Sequence, residues 1–187
     1  MTPNNLRQIF RYLNRYFMVP VFRLGLGIFL GNPLSGYIMV LKTKGRKSGM
    51  TRYAPVNYAI ANGVIYCISG FGQVSDWYRN LMAQPDIDVI LPSGAVHGHT
   101  AVVSDALERK QVVRQVLINA GFAGYLEGYN TRAISDDELE RKTAALQVIR
   151  ITPSGLASGA FDPGGWSWIL WTVLFVPLIL YWIFKKR

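Results

Sequence analysis

Six short runs between Gly36 and Thr152 constrain the fold more than anything else in this chain: GYIMVLKT, TRYAPVNYAI, VIYCIS, DIDVIL, VHGHTAVV and ALQVIRIT. They are rich in β-branched and aromatic residues, which suit a pleated, half-buried surface. Short turns join several of them: ANG before VIYCIS and PSGA before VHGHTAVV. Two longer intervals read as helices. SDWYRNLMAQP is a loop and a short helix ending near Pro85, and DALERKQVVRQVLINAG is an amphipathic helix capped by Asp105 and stopped by Gly121. A further helix is expected around Asp136 to Ala145. Strands with a few helices outside them predict a mainly β fold with flanking helices, a small six-stranded antiparallel barrel over residues 35–153. There is no internal repeat and no low-complexity segment.

The chain of 187 residues is of one-domain length with room for appendages. Residues 154–165 read as a linker containing DPGG, residues 166–184 as an apolar helix and residues 185–187 as a basic tail. From Trp166 to Phe184 there is no charge. At ~1.5 Å per residue such a helix nearly matches a hydrocarbon core of ~30 Å. Trp166, Trp168 and Trp171 at one end and Tyr181 and Trp182 at the other suit two bilayer interfaces. Pro177 is better tolerated in a membrane helix than in a soluble one. The expectation is a single-pass transmembrane anchor, with membrane lipid as a partner. Residues 1–34 form a basic N-terminal helical segment. Leu6, Ile9, Phe10, Leu13 and Phe17 share one face, Arg7, Arg11 and Arg15 another, and Pro20 interrupts the pattern. This helix either lies on an anionic bilayer or packs on the barrel with its arginines solvated. Arg23 within the apolar part and the lack of a small-residue cleavage site argue against a signal peptide. Cys67 is the one cysteine, so no intrachain disulfide forms.

The formal net charge is +9, and every acidic residue lies at or after Asp76. The basic N-terminal part therefore lacks local partners, which favours anionic ligands, membrane surfaces or nucleic acid. The charge concentrates in KTKGRKSGMTR, between the first two strands. A hairpin needs only its glycines. Gly45 and Gly49 allow a sharp turn whose exposed N–H groups, with Arg46, Lys47 and the Ser48 hydroxyl, can cradle a phosphate or carboxylate, and Arg52 could close the site. A solvated charged hairpin is an equally good reading of those residues. The spacing is not that of a nucleotide P-loop. In SGFGQVSDWYRNL, glycines bring backbone close to a ligand and Trp77 and Tyr78 open the next helix; Trp77 is either a flat wall for a planar ring or a core residue. Tyr125 and Tyr129 are either surface packing or lid residues. His97 and His99 share a strand face with no acid or cysteine beside them in sequence, so no metal site is expected. There is no Gly-x-Ser-x-Gly elbow and no acid pair at catalytic spacing.

In this order, LKTKGRKSGMTRYAPVNY, IYCISGFG and SDWYRNLMAQPDIDV resemble the deazaflavin (F420)-dependent nitroreductase family over roughly Asn32 to Thr152. The Gly-Arg-Lys-Ser-Gly and Trp-Tyr-x-Asn-Leu pieces together carry the resemblance. It implies a split β-barrel of the FMN-binding type that holds coenzyme F420 and passes a hydride to quinones, nitro compounds or conjugated alkenes. It implies that Arg46, Lys47, Ser48, Gly49 and Arg52 hold the coenzyme's phosphate and acidic tail. It places Ser69 and Gly70 near the deazaflavin ring, Trp77 beside the site, and Ser69, Tyr125 or Tyr129 as proton donors, with solvent as a further source. The loop between Ser69 and Trp77 is shorter than in many members and lacks their basic residue, and the apolar C-terminus is not a general family feature. Since the cofactor supplies the hydride, the missing nucleophile is no objection.

The sequence also admits two rival readings: a barrel that binds a cofactor or lipid without turnover, and a reductase using FMN. Nucleic-acid binding fits the charge alone, and no recognition module is present. With the anchor, the resemblance implies a membrane-anchored oxidoreductase acting on a lipid-soluble acceptor. Lys185, Lys186 and Arg187 favour a cytoplasmic C-terminus, but an intracellular coenzyme requires the barrel inside. The expected location is the cell membrane, with the barrel on the cytoplasmic face.

Overall fold

The computed structural model describes residues 3–33, 36–122, 124, 129–130, 133–157 and 167–185, with side chains from residue 8 onward and, in the last helix, from residue 172. The strands are β1 (Ile38–Lys44), β2 (Thr51–Ala61), β3 (Val64–Ser69), β4 (Asp86–Leu91), β5 (Gly94–Val102) and β6 (Gln147–Leu156). They close a barrel in the order β1-β2-β3-β6-β5-β4. Every neighbouring pair is antiparallel, and β1 meets β4 through Val40↔Ile90, Leu41↔Val89 and Lys42↔Asp88. The six-stranded antiparallel barrel with flanking helices is thus the observed architecture.

Alternation along the strands sorts the side chains. Met39, Leu41, Ile65, Cys67, Ile87, Val89, Ile149 and Ile151 fill the interior, joined by Tyr78 and Leu81 from a helix across one end. Their neighbours Val40, Tyr66, Ile90 and Val148 face outward and are covered by helices. This is the period of two expected of strands buried on both faces. The Cys67 thiol is fully enclosed, and burial pushes it up to about 12, so it is neutral and not a nucleophile. The β2–β3 turn is two residues long, with Asn62 at φ 52° and Gly63 at φ 77°, the left-handed pair that matches the twist of a hairpin.

The helices are α1 (Pro3–Leu13), α2 (Val19–Arg23), α3 (Asp76–Ala83), α4 (Ala106–Asn119), α5 (Asp136–Thr143) and α6 (Ser167–Lys185). α4 and α5 cover β2, β3 and β6 through Val112, Val113, Val116, Leu117 and Leu139. The Asp105 carboxylate caps α4 by accepting from the Glu108 N–H at 2.7 Å. α1 and α2 are joined by a π-helical stretch, Asn14–Met18. Pro20 therefore does not interrupt the helix. It sits at the start of α2, where a missing N–H costs little. Met18 and Phe22 pack on Val40 and Ile90, outside β1 and β4.

The C-terminus requires a correction. Among the described residues no helix is long and apolar enough to cross a membrane. The transmembrane helix expected over residues 166–184 is therefore not supported. Four expectations that depended on it fall with it: the membrane-anchored function, the membrane-lipid partner, the cell-membrane location and the barrel on the cytoplasmic face.

Candidate functional site

One end of the barrel gathers most of the residues singled out in the sequence. There the β1–β2 hairpin meets the first turns of α3, and the connection from β3 leads into the same helix. The hairpin closes on itself. The Gly45 N–H donates to Met50 O at 2.9 Å, while Gly45 O accepts from the N–H groups of Ser48 at 3.1 Å and Gly49 at 2.7 Å. Gly49 takes φ 64°, which a glycine adopts without strain. The Met50 N–H lies 3.4 Å from Ser48 Oγ. These amides are turned inward, so the hairpin offers an anion its side chains rather than an open backbone nest.

Those side chains divide in two. Arg46 is engaged with α3. Its backbone N–H donates to Asn80 Oδ1 at 3.2 Å, its Nη1 to Asn80 Oδ1 at 3.1 Å and to Asp76 O at 3.3 Å, and its Nη2 to Asp76 Oδ1 at 3.0 Å. Lys44, Lys47 and Arg52 are exposed and make no ion pair with any described residue. Arg52 pairs with Thr43, whose register neighbours Leu41 and Ala54 belong to the barrel interior, so Arg52 stands on the interior side at the rim. The partners Asp76 and Asn80 were not identified from sequence, although Asn80 is part of the Trp-Tyr-x-Asn-Leu piece. Their one signal was spacing: four residues apart, they share a helix face.

α3 is anchored below by Tyr78 and Leu81 in the barrel core. Trp77 is half-buried against the same core, with its ring edge-on to Tyr78 at 6.5 Å. Trp77 thus packs against the core while remaining partly exposed. The connection before α3 is tightly held. Ser69 is fully buried, and its hydroxyl donates to Gly72 O at 2.7 Å and lies 3.1 Å from Ser75 Oγ. Arg79 Nε donates to Gln73 O at 2.9 Å. Gly70 is exposed at the start of this turn.

The tyrosines do not join this group as described. Tyr129 packs against the outer cluster beneath α4 and α5, apart from the interior cluster that holds Trp77; Tyr125 lies outside the described residues. The histidines do have acids beside them, because the β4–β5 register brings them across strands. His97 Nδ1 is 2.9 Å from Asp88 Oδ1, and His99 Nδ1 is 2.8 Å from Asp86 Oδ1. Among the described residues no group of three or more His, Cys, Asp or Glu is placed to hold a metal ion. A groove of about 460 Å³ lies elsewhere, between the β2–β3 turn and α4, lined by Ile60, Tyr66, Glu108, Gln111 and Gln115 among others. There the Tyr66 hydroxyl donates to Glu108 Oε1 at 2.9 Å, and burial, then Glu108, raise its pKa.

A family model described as F420H(2)-dependent quinone reductase matches residues 21–135. No curated protein matches. Among solved structures, an F420-H2 dependent reductase (FDR-A) is 21% identical, covering 61% of this chain and 92% of its own, with a TM-score of 0.41. A conserved hypothetical protein from Mycobacterium tuberculosis is 15% identical, covering 82% of this chain and 81% of its own, with a TM-score of 0.45. The heme storage protein HutZ from Vibrio cholerae is 12% identical, covering 63% and 82%, with a TM-score of 0.42.

Proposed function

Because the chain belongs to the F420H(2)-dependent quinone reductase family, and is an oxidoreductase with a deazaflavin- or flavin-type cofactor, we propose that this cofactor is F420 and that the acceptor is a quinone, nitro compound or conjugated alkene. The observation that carries the reading is local: the exposed cations Lys44, Lys47 and Arg52, unpaired among the described residues, stand on a hairpin clamped to the helix that bears Trp77. Such cations suit a phosphate and an acidic tail. When bound, the coenzyme supplies the hydride.

The chain's own groups do the rest. Lys47 and Arg52 hold the anionic part, and Ser48 and Gly49 shape the turn that presents them. Gly70 lets backbone approach the ring, and Trp77 flanks it. The Ser69 hydroxyl donates to Gly72 O, so its part is to hold the connection in shape. The acceptor's proton then comes from solvent.

FMN is the second reading, and one observation favours it. Arg46 is committed to α3, and a single phosphate needs fewer free cations than a polyanionic tail. Titration with F420 and with FMN, followed by each cofactor's own fluorescence, separates the two. F420 should bind more tightly than FMN and lose affinity as salt rises. Tighter FMN binding would transfer the reading to FMN, and no binding of either would sink both. Turnover of the reduced cofactor with a menaquinone analogue and a nitro compound then ranks the acceptors.

A further inference from the structure

The β1–β2 hairpin and α3 are joined by one side chain. The Arg46 guanidinium and backbone N–H make four hydrogen bonds, all to Asp76 and Asn80. Asn80 is buried and its Oδ1 accepts two of them. The Arg46 side chain is 24% exposed, whereas that of Asp76 is 81% exposed. A ligand-binding arginine would be expected to keep donors free for an incoming anion. Here three of its five guanidinium N–H groups are turned to a carboxylate and two carbonyl-type oxygens of a single helix face.

We propose that Arg46 is a positioning residue: it fixes the first turn of α3, and Trp77 with it, against the hairpin that carries Lys47 and Arg52. The basic motif thus divides its labour. Lys47 and Arg52 meet the anion, and Arg46 sets the distance between the anion site and the ring site. The inference rests on the site proposed above, but its test does not depend on turnover.

The two possible roles of Arg46 predict opposite signs for one substitution. If Arg46 were an anion ligand held in reserve, Asp76→Asn would release it and tighten F420 binding. If it is a strut, Asp76→Asn loosens α3 and weakens binding. Arg46→Lys keeps the charge but loses the planar fork, so a ligand role would survive it and a strut would not. Amide hydrogen exchange of the cofactor-free protein reads the strut directly. Arg46→Lys and Asn80→Ala should each speed exchange in residues 76–83 and 45–50, with strands β3 and β6 unchanged. Each should weaken F420 binding by about tenfold or more, as expected when a supporting contact displaces a binding group by a fraction of an ångström to an ångström. The double variant should lose little beyond either single change, because both break the same contact.

Unchanged exchange over 76–83 in Arg46→Lys overturns the proposal, as does tighter F420 binding by Asp76→Asn. Either result leaves the cofactor reading intact. Failure of the unmodified protein to bind F420 or FMN removes the cofactor reading but leaves the exchange result to decide the strut.

Discussion

The β1–β2 hairpin and the helical layer of α4 and α5 both carry several cations, yet they treat them differently. In the layer and the strand beneath it, Arg109, Lys110, Arg114, Lys142 and Arg150 close on nearby acceptors. Arg114 lies 2.7 Å and Lys110 3.9 Å from Asp136, Lys142 lies 2.9 Å from Glu138, and Arg150 lies 3.4 Å from Glu108. Arg109 donates to the carbonyls of Leu146 and Thr143. On the hairpin Lys42 lies 3.7 Å from Asp88 and Arg46 3.0 Å from Asp76, whereas Lys44, Lys47 and Arg52 meet no acid among the described residues. The difference follows from sequence, since no acid precedes Asp76. Charge in the layer joins helices to each other and to the barrel; charge on the hairpin is left for something outside the chain.

The sharpest way to break this contrast is to remove the free cations. Lys47→Ala with Arg52→Ala should weaken F420 binding by roughly 3 kcal/mol or more, taking about 1.5–3 kcal/mol for each charge-assisted bond. That corresponds to about a hundredfold or more in Kd. The salt dependence of binding should flatten. The thermal midpoint should hardly move, because exposed substitutions away from packed features usually change stability by no more than about 0.5 kcal/mol. A variant that binds normally places the anion site elsewhere; one that melts early makes these cations structural, like those of the layer.

The converse experiment takes a cation from the layer. Arg109→Ala strips two carbonyls at the α5–β6 connection of a charged donor. The expected cost is about 1.5–3 kcal/mol, or roughly 2–4 °C of midpoint per kcal/mol for a chain of this size. Cofactor affinity should stay within twofold of the parent. A large loss of affinity at unchanged midpoint would show that the two regions are coupled and that the contrast is false.

The fold was legible because its signal is local. Six runs with β-forming residues and punctuating turns gave six strands, and the runs VIYCIS and DIDVIL coincide with β3 and β4. β6 continues to Leu156, past where ALQVIRIT stops, because Pro153 and Gly155 read as strand breakers although they pair with Gly98 and His97 beside a bulge. The site was legible only as composition. The sequence marked the hairpin as basic and Trp77 as notable, but could not say which arginine was already engaged. Arg46 finds Asp76 and Asn80 at 30 and 34 residues' separation, a contact set by closure of the barrel. The same applies to His97 and His99, whose acids arrive from the neighbouring strand. The C-terminal run misled for a different reason: an uncharged stretch satisfies a hydropathy argument whatever the described helix can span.

The smallest expected effect comes from acid, and it bears on the paired side of the contrast. Asp136 is held below the ordinary carboxylate value of 3.8, first by the hydrogen bond from Arg114, then by the charge of Arg114, with Lys110 adding to it. Glu138 is lowered in the same way by Lys142. A group whose folded value lies below its unfolded value stabilises the fold above the unfolded value, and that contribution is lost as the pH falls through the folded one. The difference in thermal midpoint between the parent and Asp136→Asn should therefore be present at neutral pH and shrink towards zero below about pH 4. It should be small, because Asp136 is exposed and solvent screens the pair. The midpoint difference between the parent and the Lys47→Ala, Arg52→Ala variant should not follow pH in that window, since no described carboxylate faces those cations. A difference for Asp136→Asn that persists unchanged at low pH would mean that the pair with Arg114 is not what joins α5 to α4. The hydrogen bond from Arg114 to the Ile134 carbonyl, at 3.0 Å, would then be the contact that holds the layer together.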